Sequence, residues 1–158
     1  MCIVLIQGPH HAGSRHVALP SFYAAAKAAG TTLLVRSCNT LCELIECLHK
    51  SKNQDTEMVL LDSGEVDSRD FPAANRQLCK ALDALSSPYI EMHDASSQVL
   101  DQQVHPCHGP IVTLVINDDR QSSYSMALAI ALRRLQKRAL ADTGMPTVFL
   151  KEPTCQLL

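Results

Sequence analysis

Residues 88–96 read PYIEMHDAS. Tyr89, Ile90 and Met92 flank Glu91, and His93 closes the apolar run. A strand that ends by delivering an acid and a histidine is how open α/β sheets build sites, because ligands sit outside the carboxyl ends of the strands. Side chains alternate along a strand, so Glu91 and His93 share one face and Met92 takes the other. If that shared face is the core, Glu91 needs a partner, because an unpaired buried carboxylate is costly. A histidine at a strand end is also often a hydrogen-bonded structural residue, so both readings stay open on this stretch alone.

Outward from it, short apolar runs alternate with helical patterns. CIVLI (2–6) is a continuous apolar run, as expected of a strand buried on both faces. The pattern predicts a helix over 18–29, stopped at Gly30, and a second strand, LLVR, over 33–36. Asn39 or Thr40 can cap a helix running to about Lys50, with Leu41, Leu44, Ile45 and Leu48 on one face. EMVLLD (57–62) is the third strand, and Asp62 and Gly64 fall at its end. A helix from about Ala73 to Leu85 leads to the fourth strand, and IVTLVI (111–116) is the fifth. Ser122 or Ser123 is expected to cap a long last helix to about Ala141. TVFLKE (147–152) reads as an edge strand or a partner-facing tail.

This order predicts an α/β three-layer sandwich with a five-stranded parallel sheet, of flavodoxin-like strand order 2-1-3-4-5. The 158 residues read as one domain, 1–158, with a C-terminal extension over 146–158. A net charge of −2 with no basic block argues against nucleic acid as partner. No run approaches the roughly 20 apolar residues of a membrane helix, and MCIVLIQGP reads as a core strand. Seven cysteines in no repeating framework suggest reduced thiols and a cytoplasmic setting.

The order and spacing of several turns resemble the type II 3-dehydroquinate dehydratases. The family's Asn-Gly-Pro-Asn turn after the first strand is Gln7-Gly8-Pro9-His10 here. Its Gln-Ser-Asn motif corresponds to Ser37-Cys38-Asn39, and its Asn-x-Gly to Asp62-Ser63-Gly64. Its Pro-x-Ile-Glu-Val-His strand matches Pro88 to His93, and its Tyr-x-x-Ala-Leu helix matches Tyr124 to Leu128. The resemblance implies lyase-type dehydration of 3-dehydroquinate or a related cyclic hydroxy-keto acid. It implies no cofactor and a trimer-based homo-oligomer.

Departures from the pattern cluster where the family keeps its base. The lid that carries a tyrosine and an arginine is mostly missing between Pro9 and the first helix. Arg15 is the cation left in the shortened loop, and Tyr23 aligns inside the helix as a packing residue. The downstream arginine that meets substrate hydroxyls aligns with Val104, and the motif after the histidine is Asp94-Ala95-Ser96. In the family a tyrosinate tuned by arginine takes the proton alpha to a ketone, and a histidine protonates the leaving hydroxyl.

This chain keeps the acid half, His93 with Glu91. A replacement base is expected from His10 and Asp62, with His10 facing His93 across the crevice and Asp62 between them. Gly8, Pro9, Arg15, Asn39, Gly64, Asp94 and Ala95 are the candidate substrate-binding residues. No metal is expected: His105, Cys107 and His108 are too close together to chelate well. Cys38, at a helix N-terminus, is weighed as a thiolate nucleophile and read as structural. The expected outcome is a divergent dehydratase of reduced or altered activity. The alternative is a non-catalytic paralogue that binds a small acid or a protein.

Overall fold

The computed structural model describes residues 1–10, 17–52, 55–64, 72–94 and 106–142. Strands β1 (Cys2–Gln7), β2 (Thr32–Ser37), β3 (Met58–Asp62), β4 (Tyr89–His93) and β5 (Val112–Val115) alternate with helices. The helices are α1 (Leu19–Ala28), α2 (Leu41–Lys52), α3 (Pro72–Asp83) and α4 (Arg120–Asp142). All strand pairs are parallel, in the order β2-β1-β3-β4-β5. The flavodoxin-like three-layer sandwich expected from the sequence is therefore present.

Alternation along the central strands divides the core in two. Ile3, Leu5, Leu60, Ile90 and Met92 pack against Phe22 and Ala26 of α1 and the Tyr124, Ala127, Leu128, Ala131 and Leu135 stripe of α4. Val4, Ile6, Val59, Leu61 and Tyr89 pack against Leu44, Ile45 and Leu48 of α2 and Leu78, Ala81 and Leu82 of α3. Each such fully buried aliphatic side chain contributes about 1.5–3 kcal/mol relative to exposure.

The helix ends follow local chemistry. Gly30 (φ +65°) closes α1 in a Schellman motif, with Thr31 N–H donating to the Ala26 carbonyl and Gly30 N–H to that of Lys27. Thr40 caps α2: Glu43 N–H donates to Thr40 Oγ1, and the Glu43 carboxylate accepts from Asn39 N–H. The cap of α4 is Asp119 rather than Ser122 or Ser123. Ser122 donates to Asp119 through both its N–H and its hydroxyl, and an ionised carboxylate is the better acceptor at a helix N-terminus. Residues 147–152 lie outside the described residues. Among the described residues, no helix is long and apolar enough to cross a membrane.

Candidate active site

The carboxyl ends of β1 and β3 interlock at two glycines. Gly8 N–H donates to the Asp62 carbonyl at 2.7 Å. A Cβ on Gly8 would stand 2.3 Å from the Ser63 carbonyl oxygen. Gly64 has φ +67°, and its Cβ would stand 2.2 Å from the Pro9 oxygen. Only a residue without a Cβ permits this approach, and at Gly64 the left-handed backbone adds a second reason. The sequence-predicted Gly8, Pro9 and Gly64 thus build the floor that holds Asp62, Ser63 and His10 in place.

Two polar networks rise from this floor. In the first, Glu91 and His93 share the α2/α3 face of β4, and both are buried. Glu91 Oε1 lies 2.7 Å from His93 Nε2. The approach is close but poorly aligned with a ring N–H, so it is chiefly an electrostatic contact. The other Glu91 oxygen accepts from Thr113 Oγ1 of β5 at 3.3 Å. His93 Nδ1 lies 3.2 Å from Ser63 Oγ. Burial of the carboxylate is thus compensated by a ring nitrogen and a hydroxyl.

The second network is centred on Asp62. Its Oδ2 lies 2.8 Å from His10 Nε2 and accepts a short hydrogen bond from the Tyr124 hydroxyl. Its Oδ1 accepts from Gly64 N–H at 2.9 Å. Gln7 Nε2 donates to the Tyr124 oxygen at 3.4 Å, and Ser37 Oγ donates to Gln7 Oε1 at 2.8 Å. Burial, then the Asp62 carboxylate, push the Tyr124 phenol above its ordinary range. Tyr124 is therefore a neutral donor, not a tyrosinate base. A carboxylate only accepts, so the His10 tautomer that fits has N–H at Nε2 and its lone pair at Nδ1. Nδ1 is buried without a hydrogen-bond partner among the described residues.

The two networks lie on opposite faces of the sheet edge. Asp62 is in register with Met92, on the α1/α4 side, whereas Glu91 is in register with Leu61, on the other. This differs from the expected arrangement, in which His10 and His93 face each other with Asp62 between them. His93 meets Ser63, the neighbour of Asp62, because successive side chains point to opposite faces. The link between the two histidines is the Asp62–Ser63 peptide unit.

The remaining candidates are placed unevenly. Asn39 is exposed and held by Glu43 at the start of α2. Asp94 Oδ2 lies 3.9 Å from Arg120 Nε, the first residue of α4. Arg15 and Ala95 lie outside the described residues, as do His105, Val104 and the 146–158 extension. Tyr23 is on α1 but 44% exposed, so it is not a packing residue; Phe22 takes the inward position. Cys38 is buried, and that burial pushes its thiol above the ordinary range, against a thiolate role. A cavity of about 540 Å³ lined by Met1, Cys2, Thr32 and residues 55–57 lies at the opposite, amino end of the sheet.

Sequence reasoning missed Ser63, Thr113, Tyr124 and Arg120. Only Tyr124 left a usable signal: a phenol on an otherwise apolar helical stripe needs a buried partner. The others depend on which strand ends become neighbours.

No protein-family model matches the chain. It is 30% identical over 115 residues to 3-dehydroquinate dehydratase 1 of Pseudomonas putida, covering 72% of this chain and 73% of that protein. The type II dehydroquinase of Propionibacterium acnes shares the fold with a TM-score of 0.58 at 15% identity, over 84% of this chain and 96% of that one. A 3-dehydroquinate dehydratase-like protein from Bifidobacterium longum gives a TM-score of 0.52 at 18% identity, over 85% and 97% of the two chains. With the parallel sheet, the interlocked glycine turns and the Glu91–His93 strand end, this sequence relationship places the chain in the type II 3-dehydroquinate dehydratase family.

Proposed function

We propose that the chain dehydrates 3-dehydroquinate or a related cyclic hydroxy-keto acid at a reduced rate, with a histidine in place of the family's tyrosinate. The observation that carries this reading is the His10–Asp62 pair, 2.8 Å apart, with His10 Nδ1 left unpartnered among the described residues. A histidine held by a carboxylate acts as a base near neutral pH. His10 Nδ1 takes the proton alpha to the ketone, while Asp62 stabilises the imidazolium that results and Tyr124 holds Asp62. On the other face Glu91 orients His93, and the proton for the leaving hydroxyl passes from His93 Nδ1 through Ser63 Oγ. In this reading Arg120, 3.9 Å from Asp94 at the start of α4, meets a substrate carboxylate. A trimer-based homo-oligomer belongs to the same reading, and light scattering on the purified protein tests it.

One observation favours a second reading, a small-acid or protein-binding module without turnover: the His93 side chain is 0% exposed. A turnover assay with dehydroquinate at high enzyme concentration separates the two. Slow turnover abolished by His10→Ala supports catalysis. No conversion, with ligand binding measurable by calorimetry, supports the binding module.

A further inference from the structure

Cys38 directly follows β2, before the turn into α2, and Cys47 lies in the middle of α2. Their sulfurs are 3.3 Å apart, with the Cys38 thiol directed at Cys47. Cys38 is buried and Cys47 is half-buried, so Cys47 is the more accessible of the two residues. Cys42, on the same helix, is exposed. A disulfide has an S–S length of about 2.05 Å. Closing the gap therefore needs sulfur movement of about 1.3 Å.

We propose that Cys38 and Cys47 form a redox modification site, a dithiol that closes to an intramolecular disulfide when it meets a low-molecular-weight disulfide. The Cys47 thiolate attacks one sulfur of the small disulfide, whose S–S bond breaks, and the first small thiolate leaves and takes up a proton. Cys38 then gives up its proton and attacks Cys47 Sγ, and the second small thiolate leaves. The two protein thiols lose two electrons and two protons, and the reagent becomes two thiols. Burial and the neighbouring Cys47 hold the Cys38 thiol in its protonated form, which makes the second step the slower one.

The bond would tie the segment carrying Ser37 and Asn39 to the body of α2. That segment is already joined to β1, since Cys38 N–H donates to the Gln7 carbonyl at 2.8 Å and Ser37 Oγ donates to Gln7 Oε1. Closure at this site acts on the same turn that holds Gln7 against Tyr124.

The test incubates the folded, reduced full chain with oxidised glutathione, alkylates the remaining thiols and maps the products by mass spectrometry after proteolysis. The expected product is a Cys38–Cys47 cross-link, a loss of two hydrogens, reversed by dithiothreitol and unaffected by Cys42→Ser. Cys38→Ser should trap glutathione on Cys47. The wild-type map decides by itself if that variant does not fold. Full alkylation of both Cys38 and Cys47 after oxidation, or a cross-link through Cys42, overturns the proposal.

Discussion

Replacing Tyr124 by phenylalanine removes one hydroxyl and leaves the ring in place against Phe22, whose centroid is 6.2 Å away. Asp62 would lose its Tyr124 donor but keep His10 Nε2 and Gly64 N–H. A hydrogen bond to a charged group contributes about 1.5–3 kcal/mol. Tyr124 is 2% exposed, so water does not replace the lost donor. At about 2–4 °C per kcal/mol for a chain of this size, the melting midpoint should fall by about 3–12 °C. Urea unfolding of the wild type, Tyr124→Phe, Asp62→Asn and the double variant forms a cycle. In the Asp62→Asn background the hydroxyl meets a neutral amide, so its loss should cost only about 0.5–1.5 kcal/mol. A Tyr124→Phe cost below about 0.5 kcal/mol, or one unchanged in the Asp62→Asn background, would refute the view that Tyr124 holds a charged Asp62.

Gly64→Ala should lower stability by more than the roughly 1–2 kcal/mol of a left-handed alanine, because its Cβ also meets the Pro9 oxygen; a melting curve close to wild type counts against the interlocked turns. His93→Ala should abolish turnover whereas Tyr23→Phe should leave it unchanged, as read by initial rates; loss of activity in Tyr23→Phe would restore tyrosine as base. The Asp83 carboxyl is held below its ordinary range, chiefly by the backbone N–H of His108. A lowered folded-state pKa gives stability that is present above the unfolded value, about 3.9, and lost as pH falls through the folded one. The stability gap between wild type and Asp83→Asn should therefore shrink below about pH 4; a gap that widens in acid contradicts that sign.

The fold was legible in the chain because each strand carries its own signal. Continuous apolar runs such as Cys2–Ile6 and Met58–Leu61 must be covered on both faces, and the helical stripes between them supply the cover. The alternation of Glu91 and His93 on one face follows from strand geometry alone, as does the need for Glu91 to find a partner. The partners themselves did not follow. Thr113 and Ser63 meet Glu91 and His93 only because β5 and β3 flank β4 in that register. Sequence likewise brought His10 and Asp62 forward as polar residues at strand ends, but their contact depends on Gly8 and Gly64 letting two backbones approach. The division of the two histidines between opposite faces was decided by tertiary structure: Asp62 and Ser63 are adjacent in the chain, yet a strand sends their side chains to opposite sides of the sheet, where different helices wait.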